Sequence, residues 1–360
     1  MTCLGEIIKQ KILAAGPVSF RDFMEMALYY PQFGYYNTQC DKIGRKGDFY
    51  TSPLVSPVFG IMIARQLLQM AKHLNLESFT IVECGAGTGL LCSQVIEELN
   101  KSDLRFKYYV LDCSETMLQK AKLLLNDRVE YCRSLNEIPQ IEGCFISNEL
   151  IDNFPVHKVV MQEQLMEIFV DYKDGFKEIQ VPASDSLKNY FEALEVRLPK
   201  GYSTEINLDA IQWVNRVSKC LQKGYVLTID YGHPSWDLYN PERNGGTLKC
   251  INKHKLSYSP YEFIGQQDIT SHVNFSALCL WGAMNGLDYA GYVTQGDFLE
   301  ALGFLDYMKF KRQEEKRFMQ YETDAFLTHL LLNDMGNKFK VLIQHKGISA
   351  KLLSGLKSLS

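Results

Sequence analysis

The chain has 360 residues, of which 46% are hydrophobic and 22% are charged, with a net charge of −4. It can bury a full core and exceeds the usual size of one compact domain, so we expect one large domain with attached or inserted parts. The net negative charge argues against strong electrostatic binding to bulk nucleic acid or to an anionic membrane.

The ten cysteines are scattered, and the absence of a CxxC pair argues against a zinc knuckle or a thioredoxin-like site. We interpret them as reduced structural thiols of a cytosolic-type compartment. The first residues show neither a basic leader followed by an apolar run nor an Arg-rich presequence, which indicates no secretion or transit signal. The predicted location is cytoplasmic.

The N-terminal part of the chain reads as helical. Two helices are expected within residues 1–30, separated by Gly16-Pro17, with Ser19 as the cap of the second. A Gly/Pro/Ser loop follows over residues 44–57, and Ser56-Pro57 is typical of a helix start. The apolar stretch Leu54–Ala71 contains Arg65 and two glutamines, so it is predicted to be a core helix and not a membrane span.

From about residue 78, strands and helices alternate, which predicts a mostly parallel sheet covered on both faces. The expected strands are 79–82, 107–111, 144–147, 225–229 and 340–345, with helices over 90–99, 114–125, 208–221, 295–302 and 311–334. Residues 156–180 alternate like an antiparallel hairpin that turns at Asp174-Gly175. Residues 233–275 are rich in Gly, Asn, Pro and Tyr and are interpreted as an excursion from the sheet.

The first expected strand runs into a glycine-rich turn that predicts a cofactor site. Glu83 precedes Gly85, Gly87 and Gly89, and these glycines permit positive φ and close approach of a ligand. The pattern is not the dinucleotide fingerprint, because Leu90 takes the place of its last glycine. Glu83 would repel a pyrophosphate but suits a cation, so S-adenosylmethionine is the predicted cofactor. The competing interpretation is a turn that only permits tight packing of a helix on a strand.

The rest of the cofactor site follows from the order of the strands. Asp112, with Cys113 beside it, ends the second strand, where a carboxylate accepts both ribose hydroxyls. Residues 128–135 should supply the adenine wall, with Ser134 and Leu135 as the expected contacts. Asp230 and Tyr231 end the fifth strand at the same rim of the sheet and are candidates for binding the substrate.

Acidic side chains follow the strand expected to lie next to the transferable methyl group. Asn148, Glu149 and Asp152 stand where this strand leaves the core, and we interpret Glu149 and Asp152 as orienting the nucleophile. Carboxylates can hold a planar guanidinium bidentately, so two acids suit an arginine acceptor better than a hydroxyl. An ordinary capped loop is the alternative.

A second polar segment, residues 268–275, alternates polar and apolar side chains. Asp268 and His272 are candidates for binding the substrate, and a half-buried edge strand is the competing interpretation. His254 and His272 are too far apart in sequence to argue a metal pair, so no metal site is predicted.

Motifs along nearly the whole chain resemble the MidA family of S-adenosylmethionine-dependent methyltransferases, which includes a mitochondrial arginine methyltransferase. The most specific ones are Gly47-Asp48-Phe49-Tyr50-Thr51-Ser52-Pro53, Ser147-Asn148-Glu149 with Asp152, Ile229-Asp230-Tyr231-Gly232, Gly246-Thr247-Leu248, Asp268-Ile269-Thr270 and Thr294-Gln295-Gly296. Two positions depart from the family pattern: Asn274 stands where an aspartate is common, and Asp112 replaces the usual glutamate.

The resemblance implies an α/β fold with a Rossmann-like, seven-stranded class I methyltransferase core, an N-terminal helical cap and an added substrate-facing region. It implies that the segment before the core, with Asp48, Thr51, Ser52 and Pro53, binds the cofactor together with the glycine loop, and Asn148 is counted with them. The mitochondrial relatives dimethylate an arginine symmetrically on a subunit of respiratory complex I.

Four regions are expected from these patterns. They are a helical cap with a lid loop over 1–75, the methyltransferase core over 76–232 with a hairpin insertion at about 156–180, a substrate-facing insertion over 233–294, and a completion of the core over 295–360. The predicted function is a protein arginine N-methyltransferase with a protein partner, a respiratory-complex subunit being the example that the resemblance implies. No nucleic-acid or membrane partner is expected, and a homodimer is one option for the oligomeric state.

Two alternatives to this function stay open. One is methylation of a small molecule or of another protein side chain. The other is a factor that binds the cofactor and assists assembly without turnover.

Overall fold

The computed structural model describes residues 1–38, 42, 51–253, 255–315, 320–349 and 351–357. The chain divides into two compact units. The first unit comprises Met1–Phe49, Ile151–Val214 and Gly232–Trp281, and the second comprises Tyr50–Leu150, Asn215–Tyr231 and Gly282–Ser360. The four regions expected from the sequence divide the chain by role, and their boundaries stay a prediction.

The helices and strands of the described residues are numbered in chain order. The helices are α1 Cys3–Ala15, α2 Phe20–Tyr29, α3 Ser52–Val55, α4 Val58–Leu74, α5 Leu90–Leu99, α6 Glu115–Leu125, α7 Asp185–Ala193, α8 Leu208–Cys220, α9 Ser235–Leu238, α10 Phe275–Met284, α11 Gln295–Ala301, α12 Phe304–Glu315, α13 Gln320–His329 and α14 Met335–Lys338. The strands are β1 Val18–Ser19, β2 Phe79–Cys84, β3 Phe106–Leu111, β4 Glu130–Cys132, β5 Ile141–Asn148, β6 His157–Met161, β7 Leu165–Tyr172, β8 Phe176–Pro182, β9 Ser203–Ile206, β10 Leu221–His233, β11 Lys249–Asn252, β12 Lys255–Ser257, β13 Asp268–Thr270, β14 Val273–Asn274, β15 Asp288–Thr294 and β16 Phe339–Lys346.

The second unit is built on a twisted sheet whose hydrogen-bonded order is β15-β16-β10-β5-β2-β3-β4. Neighbouring strands from β10 to β4 run parallel, whereas β16 is antiparallel to both β10 and β15. The chain leaves the parallel strands at one common edge, and ligands of open α/β sheets bind at that edge. The expected α/β class and mostly parallel sheet are confirmed.

The core of the second unit lies where helices cover this sheet. Its buried members include Phe59 and Leu67 of α4, Val95 of α5 and Ile146 of β5. They come from several elements because a sheet with helices on its faces buries nearly every side chain of its central strands. A helix long and apolar enough to cross a membrane is absent among the described residues.

The first unit contains antiparallel sheets and the N-terminal helices. Strands β1, β7, β6 and β9 follow one another in one sheet, with β8 paired to β7, and β11 lies between β12 and β13 in a second sheet. The expected hairpin is confirmed, because β7 and β8 pair around a turn where Asp174 and Gly175 have φ of 59° and 145°. In this unit β14 also runs parallel to Gly232 and His233, the last residues of β10.

Local sequence signals account for several helix ends. Ser19 accepts a hydrogen bond from the Asp22 N–H at 3.1 Å, which confirms it as the cap of α2, and Ser114 caps α6 in the same way. Two predicted ranges were too short. The strand expected over 225–229 spans Leu221–His233, because it pairs with strands on both sides. The charged helical stretch expected over 311–334 begins earlier, at Phe304, directly after Gly303 with φ of 86°.

Candidate active site

The glycine turn after β2 has the backbone that its sequence predicts. Gly85, Gly87 and Gly89 have φ of 69°, 55° and 76°, in the left-handed region that favours glycine. The Gly85 N–H donates to the Leu111 carbonyl at 2.8 Å, so the turn is held against the end of the neighbouring strand. A Cβ on Gly85 would lie 2.6 Å from Cδ1 of Leu150, and this turn therefore accepts no larger residue without a shift.

Asp112 is buried at the end of β3, as the site requires. Its two carboxylate oxygens accept from the Gly87 and Ser114 N–H groups, each at 2.9 Å. Burial raises the pKa of Asp112 to about 6, although both backbone donors act in the opposite direction. Each oxygen keeps a second lone pair, so the carboxylate can still accept from ribose hydroxyls. Cys113 beside it is exposed.

The expected adenine wall forms the start of the turn after β4. Ser134 accepts a hydrogen bond from the Asn136 N–H at 3.2 Å, and Leu135 is buried. Their roles toward the adenine stay predictions.

Glu83 precedes the glycine turn in β2 and is only 3% exposed. The Tyr108 hydroxyl donates to its Oε2 at 2.6 Å. Burial raises the pKa of Glu83 to about 7, while the Tyr108 hydrogen bond lowers it. The Glu83 carboxylate is therefore already hydrogen-bonded to Tyr108 in the core. Its expected role toward a cationic ligand stays a prediction.

Glu149 directly follows β5, and its backbone is strained. Its φ is 52°, which is uncommon for a residue with a side chain and is found preferentially at functional sites. The Glu149 N–H donates to the Ile229 carbonyl at 3.0 Å. Its Oε1 accepts from Asn148 Nδ2 at 3.1 Å and from the Ser52 N–H at 3.4 Å. The predicted catalytic acid thus contacts two predicted cofactor-binding residues.

Several buried polar atoms near Ser52 make no hydrogen bond within the described part of the chain. They are Ser147 Oγ, Asn148 Oδ1, Gln94 Oε1 and Gln295 Nε2. Leaving such an atom unsatisfied costs about 1–3 kcal/mol. These atoms are on side chains bonded to Ser52, Pro53 or Glu149, or next to them in the chain, and indicate a place where a polar ligand or water completes the bonding.

Two glutamines that sequence reasoning missed hold the segment before the core. Gln94 Nε2 donates to the Pro53 carbonyl at 2.8 Å, and Gln295 Oε1 accepts from the Ser52 hydroxyl at 3.2 Å. No local spacing predicts either contact, because the partners lie 41 and 243 residues apart. The family motif Thr294-Gln295-Gly296 was the one signal that included Gln295.

Asp230 and Tyr231 lie at the end of β10 within the second unit. Asp230 is fully buried, and its carboxylate accepts from the Leu150 N–H at 3.3 Å and the Tyr231 N–H at 2.9 Å. Tyr231 packs edge-on against Phe339. These contacts fix the loop after β5, and binding of a substrate by this pair stays a prediction.

The first unit contains the other predicted acids. Asp268 Oδ1 accepts from the Tyr36 hydroxyl at 3.0 Å and from Asn153 Nδ2 at 3.4 Å. Asp152 is buried, and its backbone carbonyl accepts from the Ser271 N–H at 3.0 Å. Burial, and after it the charges of Asp268 and Asp152, raise the pKa of Tyr36 well above its usual range. Asn153 and Asp268 therefore belong to one polar network with Tyr36, and Asp152 precedes Asn153 in the chain.

His272 and Asn274 lie farther along the same segment of the first unit. The His272 ring packs on His233 at 5.2 Å, and burial with neighbouring cations lowers its pKa to about 3, so it is neutral. Asn274 is used in packing: its Nδ2 donates to the Tyr190 hydroxyl at 3.0 Å, and its Oδ1 accepts from Ser235. Asp48 and His254 lie outside the described residues.

Comparison with known proteins identifies the family. A family of S-adenosyl-L-methionine-dependent methyltransferases matches residues 62–293, most of the chain. The chain belongs to this family. As the motifs indicated, this methyltransferase is MidA-like.

Named relatives extend over most of the methyltransferase. "Protein arginine methyltransferase NDUFAF7 homolog, mitochondrial" of Drosophila melanogaster is 26% identical over 96% of this chain and 86% of its own length. The Homo sapiens protein of that name is 25% identical over 81% of this chain and 71% of its own length. A crystal structure from Burkholderia thailandensis, bound to S-adenosylhomocysteine, is 29% identical with a TM-score of 0.87 and covers 98% of this chain and 94% of its own.

The cofactor is S-adenosylmethionine, and the described residues fit it. The left-handed glycine turn leaves backbone open to a ligand, and Asp112 lies buried at the next strand end. Buried atoms of both kinds, the donor Gln295 Nε2 and the acceptor Asn148 Oδ1, make no hydrogen bond within the described residues, and an amino-acid group with a carboxylate and an ammonium offers a partner to each.

Proposed function

We propose that this methyltransferase methylates an arginine side chain of a protein partner. The observation that carries the proposal is the state of Glu149, a half-buried carboxylate held in a strained backbone at the end of β5. Strain of this kind persists where the surrounding structure over-determines it, as at functional sites. The names of the relatives, which are protein arginine methyltransferases, support the same substrate class.

The chemistry of the acceptor explains why carboxylates are needed. When bound, S-adenosylmethionine supplies a methyl group on a sulfonium. A nitrogen of the acceptor forms the new N–C bond as the S–C bond breaks, and the nitrogen loses one proton to water. A guanidinium has a pKa above about 12, so it must be held and electrostatically balanced while this proton leaves. Glu149 and Asp152 are proposed to do this.

The two acids should contribute mainly by positioning and charge. Glu149 keeps its Oε1 on the Asn148 and Ser52 donors, which fixes the plane of the carboxylate before an acceptor arrives. Such preorganised electrostatic partners are worth a factor of about a hundred or more in turnover. Asp230, Tyr231, Asp268 and His272 are proposed to bind the protein substrate.

The test uses tritiated S-adenosylmethionine and a protein extract of the organism that encodes the chain. We expect label in protein, and mass spectrometry should find methyl groups on arginine. Glu149→Gln should lower the rate by about a hundredfold and keep affinity for S-adenosylhomocysteine within a few-fold. Glu142→Gln, at the opposite end of β5, is the matched control and should leave the rate unchanged.

The outcomes separate the alternatives. Methyl groups on lysine, on a carboxylate or on a small metabolite would refute the arginine acceptor and leave the cofactor assignment intact. Cofactor binding without any transfer to the extract would favour an assembly factor. A fluorescent fusion tests the location, for which we keep the cytoplasmic prediction although the named relatives are mitochondrial.

A further inference from the structure

Gln295 occupies a rigid position in the second unit. It is the first residue of α11, and its side chain is fully buried. Thr294 caps the helix by accepting from the Asp297 N–H at 3.1 Å. A Cβ on the next residue, Gly296, would lie 2.3 Å from the Leu332 carbonyl oxygen, so the backbone there is packed directly against the helical segment that follows. The start of α11 therefore holds the side-chain amide of Gln295 in a fixed position.

Ser52 connects Gln295 with Glu149 through two hydrogen bonds. Its hydroxyl donates to Gln295 Oε1 at 3.2 Å, and its backbone N–H donates to Glu149 Oε1 at 3.4 Å. Ser52 is itself fully buried, and the carbonyl of the next residue, Pro53, is held by Gln94. A shift of the Ser52 residue would therefore move a backbone donor that helps to orient the Glu149 carboxylate.

Gln295 differs from a glutamine that only fills the core. Gln66 is equally buried in the same unit, and both ends of its amide are bonded: Nε2 donates to Gln69 Oε1 at 3.1 Å, and Oε1 accepts from the Gly355 N–H at 3.0 Å. Gln295 bonds through Oε1, while its Nε2 makes no hydrogen bond within the described residues. A buried amide that leaves a donor unsatisfied is costly, so packing alone is a poor reason for it.

We propose that Gln295 is a positioning residue for Glu149 and that it acts through Ser52. The amide holds the Ser52 hydroxyl, the Ser52 backbone N–H then points at Glu149 Oε1, and the carboxylate is fixed for the acceptor. The inference rests on the proposed role of Glu149 in methyl transfer. It predicts that loss of Gln295 lowers the transfer rate and spares affinity for the cofactor.

The experiment is a double-mutant cycle on the full chain, with tritiated S-adenosylmethionine at saturation and the protein extract named above. Gln295→Met should lower the rate about tenfold, with affinity for S-adenosylhomocysteine within about threefold by calorimetry. In the Glu149→Gln background the same change should lower the rate less than about twofold further, because coupled residues are not additive. Ser52→Ala should reproduce the loss, and Ser52→Thr, which keeps the hydroxyl, should restore most of it.

Gln66→Met is the matched control, because it removes an equally buried amide from the same unit. It should lower the thermal stability at least as much as Gln295→Met and leave the transfer rate within about twofold of the wild type. This control separates a positioning effect from a loss of folded protein.

Three results would overturn the proposal while the role of Glu149 stands. They are an unchanged rate in Gln295→Met, an additive loss in the cycle, and a weaker cofactor affinity that accounts for the whole loss. A fourth result, a normal rate in Glu149→Gln alone, would refute the proposed catalytic role itself, and the positioning role would fall with it. The single variant of Glu149 therefore tells the two failures apart.

Discussion

Replacement of Gly85 by alanine is the sharpest test of the cofactor turn. The residue has φ of 69°, and an added Cβ would lie 2.6, 3.2 and 3.3 Å from three side-chain atoms of Leu150. The nearest distance is below any normal contact, so Leu150 must move. Leu150 donates its N–H to Asp230, and its neighbour Glu149 bonds to Ser52, so the shift reaches the strand edge.

The expected magnitude has two parts. The left-handed backbone costs a residue with a Cβ about 1–2 kcal/mol relative to glycine. The displacement of Leu150 adds a steric cost, for which overpacking typically amounts to about 1–3 kcal/mol. Gly85→Ala should therefore lower the free energy of unfolding by about 2–5 kcal/mol. Because we propose that the cofactor binds against this backbone, its affinity should also fall by about tenfold or more, equivalent to about 1.4 kcal/mol.

The assay combines denaturant unfolding with calorimetric titration of S-adenosylhomocysteine. Gly201→Ala is the matched control, because Gly201 has φ of 83° and no atom lies within 4 Å of its added Cβ. The control should show only the backbone cost of about 1–2 kcal/mol and bind S-adenosylhomocysteine normally. Equal affinities in the two variants would refute the assignment of this turn to the cofactor.

Two further predictions concern the buried acids of the cofactor site. Burial raises the pKa of Asp112 to about 6, so the carboxylate that we propose as the acceptor of the ribose hydroxyls is protonated as pH falls through that value. Affinity for S-adenosylhomocysteine should then fall up to about tenfold per pH unit, and Asp112→Asn should remove this dependence. The pKa of Glu83 rises from 4.5 to about 7, so its ionisation opposes folding as pH rises between these values. Glu83→Gln should therefore gain up to about 3 kcal/mol relative to the wild type between pH 4 and pH 8, and a flat difference in unfolding curves would contradict this.

Local patterns were sufficient for the frame of the site. The helix after the glycine turn was expected over 90–99 and is Leu90–Leu99, because glycine before it and apolar periodicity within it act over a few residues. The hairpin turn at Asp174-Gly175 was predictable for the same reason. The alternation of strands and helices also predicted that Glu83, Asp112 and Glu149 lie at the ends of strands.

Contacts between residues far apart in the chain could not be predicted from the sequence. The segment with Ser52 was expected to face the cofactor, but its anchoring by Gln94 and Gln295 depends on packing across 41 and 243 residues. Asn274 illustrates the opposite case. It departs from the family pattern, and its amide is bonded to Tyr190 and Ser235 in the core of the first unit. A side chain's role in packing has no spacing signature.

Glu149 and Asp152 stand three residues apart, and the sequence argument treated them as near equals. Their surroundings differ within their own units. Glu149 is half-buried, its backbone is strained, and its Oε1 accepts from Asn148 and from the Ser52 N–H, which fixes the orientation of the carboxylate. Asp152 is 3% exposed, and its backbone carbonyl accepts from the Ser271 N–H at 3.0 Å. A carboxylate oriented before the acceptor arrives contributes most to the transfer step, so Glu149→Gln should lower methyl transfer more than Asp152→Asn.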